Sequence, residues 1–233
     1  MPEPRMAAAR TARPVAVARA GLPSSDVSQL QDYLDLVDWR RRVGDLYRVG
    51  VAEGLGEFRR GRDHLFRTHP SSPIPPSHRE AFQHLRYFEA DPSWRLVCRL
   101  EPVEAGELEI DTGGEDGVLR YRRAGRLRFE RDGAACELTV FALLGYGGGL
   151  FLPFRDRTSG RETYGGGRYL FDTIKNTDGG ALEVRPGSSE LVVDFNYAYN
   201  PSCAYDARWA CPLAPRENWL PVPVRAGELA YSG

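Results

Sequence analysis

Between Ser28 and Val49 the apolar side chains return every third or fourth position: Leu30, Tyr33, Leu34 and Val37, then Trp39, Val43, Leu46 and Tyr47. That is the period of one helix face, so a helix with a single buried stripe is expected there. A second helix is expected over 53–66, with Leu55, Phe58, Leu65 and Phe66 inward and its arginines outward. Pro70, Pro73, Pro75 and Pro76 then stop helical growth by removing N–H donors and fixing φ. Ser77 with Glu80 three residues on has capping-box spacing and predicts a short third helix carrying Phe82 and Leu85.

After Asp91-Pro92 the period drops to two. Leu96, Cys98 and Leu100 alternate with polar neighbours, as do Leu127 and Phe129, then Leu138 and Val140. Gly113-Gly114, Asp116-Gly117 and Asp132-Gly133 punctuate these runs as turns. No helical stretch separates the strands, which argues against a doubly wound sheet. The expected fold is mainly β: an antiparallel β-sandwich or barrel-like domain preceded by two or three N-terminal helices. The expected layout is a disordered leader over 1–25 and a helical region over 26–90 packed on the main domain. An antiparallel β domain with a Pro-rich C-terminal loop follows over 91–233.

Composition narrows the function classes. The chain has 233 residues, enough for one large domain, with a net charge of −1 and no basic footprint for nucleic acid. Lys175 is the only lysine, which nearly removes Schiff-base and P-loop lysine chemistry. No run approaches the roughly 18 apolar residues of a membrane-spanning helix. Arg5, Arg10, Arg13 and Arg19 break up the Ala- and Pro-rich start too often for a signal-peptide core. A cytoplasmic protein without membrane or nucleic-acid partners is expected, its oligomeric state open.

The four cysteines do not form a ligand pattern. Cys98 and Cys136 sit in strand-like runs, where a thiol packs as a small hydrophobe. Cys203 and Cys211 lie eight apart in the Pro-rich loop; a disulfide between them is disfavoured in a reducing cytosol. All four histidines fall between His64 and His84, away from paired thiols. No metal and no cofactor is expected.

Chemistry concentrates in the last third. Tyr146-Gly-Gly-Gly149 and Tyr164-Gly-Gly-Gly167 bracket the polar run from Arg155 to Glu162, and Asp194 to Tyr205 adds carboxylate, amide, thiol and aromatic groups. The glycines suit hairpin turns and close strand packing, or an anion-binding nest with Arg168 beside it. If the run from Glu190 to Tyr199 is one strand, Leu191, Val193, Phe195 and Tyr197 share the core face. Val192, Asp194, Asn196 and Ala198 then share the other, which is either a wet outer face or a cleft wall.

The string Gly145–Leu170 and the run Asp194–Tyr205 resemble the signature of the bacterial family catalogued as domain of unknown function 1684. So do Trp209–Leu213, Glu217-Asn218, Leu220-Pro221 and Ala226–Glu228. Upstream, Arg62-Asp63, Phe66, His69-Pro70, Ser72-Pro73 and Tyr87-Phe88 extend the likeness to roughly Trp39–Glu228. Phe171 stands where a second aliphatic residue is expected. The resemblance implies a domain and no activity.

Three functional readings stay open. The first is a small anionic or carboxylate-bearing ligand held in a cleft. Its lining is expected from Arg155, Asp156, Thr158, Ser159, Glu162, Tyr164, Arg168, Asp194, Asn196, Asn200 and Tyr205. The second is a metal-independent hydrolase using Asp194 or Glu162 as acid or base. A nucleophilic variant, on Ser159, Thr158, Cys203 or Cys211, would need a histidine folding across, and His69 in its Pro-flanked loop is best placed. The third is a structural or interaction module, where the polar groups hold the C-terminal loop through side-chain hydrogen bonds.

Overall fold

A computed structural model describes residues 24–114, 117–145, 147–178 and 188–233. The expected leader over 1–25 lies outside the described residues apart from its last two. Helix α1 (Ser24–Glu53) and helix α2 (Leu55–Thr68) join through Gly54, whose φ of 98° suits glycine. They form an antiparallel hairpin: Gly50 abuts Phe58, Gly61 lies against Leu46, and Trp39 meets Phe66 with ring centroids 5.5 Å apart. Only the later half of the expected α1 stripe is covered, with Tyr47 buried and Trp39, Val43 and Leu46 partly so. Tyr47 packs on Phe58 and Tyr197, but Leu30, Tyr33, Leu34 and Val37 are more than half exposed. A 30-residue helix is about 45 Å long at 1.5 Å per residue, far longer than the 14-residue α2 it pairs with. Helix period alone cannot say which turns find a neighbour.

The third helix also differs from expectation. Helix α3 (Pro76–Arg79) is a single turn, and Ser77 lies inside it rather than at its cap. Phe82 and Leu85 follow in irregular chain, yet both are buried against Phe66, Ile74 and Tyr205. Pro75 occupies the cap position, where it has no side-chain oxygen to offer the first turn.

Among the described residues seven strands follow: β1 (Arg95–Glu101), β2 (Glu107–Asp111), β3 (Val118–Arg131), β4 (Ala134–Leu143), β5 (Leu150–Phe154), β6 (Arg168–Asp172) and β7 (Glu190–Asp194). All their pairings are antiparallel, in the order β6-β5-β4-β3-β1-β7, with β2 on the free part of β3. Asp132 (φ 52°) and Gly133 (φ 72°) turn β3 into β4, as a tight hairpin requires. The row curls until Tyr169 of β6 exchanges both backbone hydrogen bonds, 2.8 and 3.0 Å, with Tyr199 just beyond β7. The result is the expected barrel-like antiparallel domain preceded by helices. Its core holds Trp94, Leu138, Val140, Leu152, Phe154 and Phe195, sealed by Val222, Val224 and Ala226 of the C-terminal loop.

The last strand is shorter than the expected alternation. The Asp194 carboxylate accepts from the Asn196 backbone N–H at 2.9 Å and starts a 3-10 turn over Phe195–Tyr197. Local side-chain capture of a backbone donor ends the ladder there. Val192, expected on the outer face, is buried as well.

Candidate functional site

The long connection between β5 and β6 is built around two buried groups. Asp156 accepts from Thr158 N and Oγ1 at 2.7 and 2.6 Å and from Val224 N at 3.1 Å. Its other oxygen receives Arg168 Nη2 at 3.0 Å, and neither side chain of this pair reaches solvent. Arg168 also donates to the carbonyls of Val224, Ala226 and Glu228. Burial pulls the guanidinium's pKa down, and the Asp156 charge pushes back. Four carbonyl and carboxylate partners on one guanidinium pin the C-terminal loop to β6. Thr158 is sealed in the same knot through Thr163.

A second buried pair stands nearby. Glu228, 1% exposed, accepts from Arg62 Nη2 at 3.0 Å, from Asn200 N at 3.2 Å and from the Tyr205 hydroxyl. Arg62 comes from α2, so this pair fastens the helical hairpin to the barrel. Asn218, fully buried, bonds Thr139 N and O at 2.8 and 2.9 Å and Pro153 O at 2.8 Å. Its amide takes the ladder positions where β4 and β5 have parted.

The expected site residues divide among six places. Arg155, Asp156 and Ser159 line an open groove, while Thr158 and Arg168 lie sealed behind it. Glu162 is gripped on the surface by Arg225 at 3.0–3.2 Å. Tyr164 points its hydroxyl at Cys203 Sγ, 3.6 Å away. Asn200 and Tyr205 belong to the Glu228 cluster. Asn196 Nδ2 donates to Asp194 Oδ1 at 2.8 Å and to Asp91 O at 2.9 Å, and its Oδ1 accepts from Asp91 N at 2.9 Å, so Asn196 clamps the end of β7 to the entry of β1. His69 stands apart: Nε2 lies 3.3 Å from Asp38, Nδ1 accepts from Ser71 N, and the ring meets Trp39 edge-on. Among the described residues no group of three or more His, Cys, Asp or Glu converges as metal ligands do.

The groove is lined by more than the expected residues. Arg157, Arg161 and Arg216 join Arg155 around Trp219 and Pro221, in an opening of about 540 Å³. The backbones of Arg155 and Leu220 exchange a 2.8 Å hydrogen bond, and Arg155 N donates to Asn218 O at 3.0 Å. This holds the Arg155 guanidinium 4.3 Å above the Trp219 ring, with Arg216 at 5.7 Å. The acids nearest in sequence are already engaged: Asp156 by Arg168, Glu162 by Arg225 and Glu217 by Arg123. None of the four groove arginines has an acidic partner among the described residues.

Residues 80–229 match the family described as Protein of unknown function (DUF1684). The chain belongs to that family. A solution NMR structure of an uncharacterized protein from Haloarcula marismortui is 36% identical to it. That likeness covers 73% of this chain and 89% of the other, with a TM-score of 0.53. No curated protein matches. The DUF1684 span takes in the groove, the Arg168–Asp156 knot and Glu228. It begins after α2, so Arg62 lies outside it, and it is narrower at that end than the expected Trp39–Glu228. Arg62, Glu228 and Asn218 all stood in the strings resembling DUF1684, but nothing in their spacing marked them as a brace.

Proposed function

We infer that this protein binds a small multivalent anion, of the di- or tricarboxylate or phosphate class, in the groove around Trp219. The supporting observation is that Arg155, Arg157, Arg161 and Arg216 line this groove without an acidic partner among the described residues, with Arg155 and Arg216 over the Trp219 ring. Guanidinium groups recognise carboxylate and phosphate through paired N–H donors, and an aromatic face holds them in place. Four like charges in one opening repel each other and raise the local concentration of anions. The protein's overall charge is near neutral, so the attraction is local to this groove. The working compartment we propose is the cytoplasm, where the free thiols of Cys203 and Cys211 stay reduced.

Titration with citrate at fixed ionic strength, followed by tryptophan fluorescence, tests the reading. Saturable quenching that disappears in Trp219→Phe is expected. Arg155→Gln should weaken citrate binding about tenfold or more, the loss of a charged hydrogen bond. Acetate at the same ionic strength should bind far more weakly. A response that is linear in citrate, or unchanged in Arg155→Gln, rejects the assignment.

A further inference from the structure

We propose that the chain pairs with a second copy of itself through the first half of α1, the two helices running antiparallel. Leu30, Tyr33, Leu34 and Val37 are each more than half exposed. Their spacing puts them on one helix face, nearly opposite the face that carries Trp39, Val43, Leu46 and Tyr47 onto α2 and the barrel. A cluster of large apolar side chains left open to water marks a contact surface. This one lies before the family span of 80–229 and far in sequence from the arginine groove.

The order of residues along that face selects the occupant. It reads Asp26, Leu30, Tyr33, Leu34, Val37, Arg41, with steps of 4, 3, 1, 3 and 4. The steps are the same in both directions, as a two-fold contact between identical helices requires. In the antiparallel pairing Leu30 stands opposite Val37 of the second copy, Tyr33 opposite Leu34, and Arg41 opposite position 26, an aspartate. The apolar positions meet apolar positions, and each end sets an acid against a base. A parallel pairing would set aspartate on aspartate and arginine on arginine, which repel.

Arg41 is free to take that role. Arg42 and Arg48 are engaged by Asp38 and Asp45, whereas Arg41 is exposed and has no acidic partner among the described residues. It lines an open groove with Val37, Arg40 and Gly44. Asn176 of the barrel closes the face further along, donating to Arg40 O at 3.1 Å and lying beside Gly44. The self-complementary stripe ends where that cover begins. The four apolar side chains offer on the order of 500 Å² per copy, the low end for a specific interface, so the dimer is reversible.

Sedimentation equilibrium of the full chain from about 1 to about 200 μM tests this, with a Kd of about 1–100 μM expected for so small a contact. The mass should rise from that of one 26.0 kDa chain to that of two. Val37→Glu puts a charge in the middle of the stripe and should raise Kd at least about tenfold, with circular dichroism unchanged. Asp26→Arg and Arg41→Glu should each weaken self-association about tenfold, because each sets like charges together twice. Mixing those two variants should restore a dimer of about wild-type affinity, since every end pair is again of opposite sign. Three results would overturn the proposal: a chain that stays monomeric throughout, leaving the stripe to a foreign partner; a dimer indifferent to Val37→Glu, which must use another face; or no recovery on mixing, which rules out the antiparallel register.

Discussion

Arg168 and Asp156 form a 3.0 Å ion pair from which solvent is wholly excluded. Removing either charge leaves the other desolvated inside the barrel wall. Asp156→Asn and Arg168→Gln should each destabilise the fold by about 3–5 kcal/mol. Glu162→Gln breaks a pair of similar geometry between half-exposed side chains and should cost under about 1 kcal/mol. Urea unfolding of the three variants separates the cases; equal losses would mean the sealed pair contributes no more than the wet one.

Gly227 has a φ of 78°, and a Cβ there would lie 2.6 Å from Ala198 O and 2.7 Å from Phe195 O. Gly133 at the β3–β4 turn has a similar φ of 72° but open space around it. Alanine at Gly133 should therefore cost about 1–2 kcal/mol, from backbone strain alone. At Gly227 the clash with two carbonyls adds to that strain, and a loss above about 3 kcal/mol is expected. Thermal unfolding of the two alanine variants checks the ranking.

Much of the β domain was legible because alternation reports burial directly. Leu96, Cys98 and Leu100, and Leu138 with Val140, lie in the expected strands, and Asp132-Gly133 makes the expected turn. Asp194 departs from the alternation: its side chain competes with the ladder for a backbone donor, an effect that periodicity does not record. The site was less legible still. Arg155, Asp156 and Ser159 do meet at one groove, but Arg157, Arg161, Arg216 and Trp219 complete it. Those four look like ordinary surface residues until the chain is folded. Arg62 and Glu228 are 166 positions apart, and no local pattern links them.

The same limit explains α1, and it predicts contrasting effects at its exposed first half and at the packed contacts of its second half. Val37 is 56% exposed, whereas Gly50 O receives the Tyr197 hydroxyl at 3.0 Å and Phe58 packs edge-on against Tyr197. Val37→Glu should change the unfolding free energy by less than about 0.5 kcal/mol. Tyr197→Phe should cost about 1 kcal/mol and Phe58→Ala about 3–5 kcal/mol. If Val37→Glu unfolds the protein, the first half of α1 has a neighbour that its exposure hides.

The thiols of Cys203 and Cys211 share one environment with opposite consequences. Cys203 N donates to Cys211 Sγ at 3.4 Å. The hydrogen bond from Cys203, helped by backbone donors and the Lys175 charge, lowers Cys211 to about 6 against the upward push of burial. Cys203, as the partner that keeps its proton, is driven upward by the same bond and by burial. Burial alone raises Cys98 to about 11. One thiolate should therefore appear as pH rises through about 6, visible in ultraviolet absorbance. It should be absent in Cys211→Ser and shifted toward the ordinary thiol value near 8.5 in Cys203→Ala. The sign for stability follows from the depressed folded value. The Cys211 contribution is fully present above the unfolded thiol's pKa and is lost as pH falls through about 6. Wild type should thus lose stability relative to Cys211→Ser as pH falls from about 8 to about 5. A flat difference across that range, or an absorbance step indifferent to Cys203→Ala, would mean the two sulfurs do not share a proton.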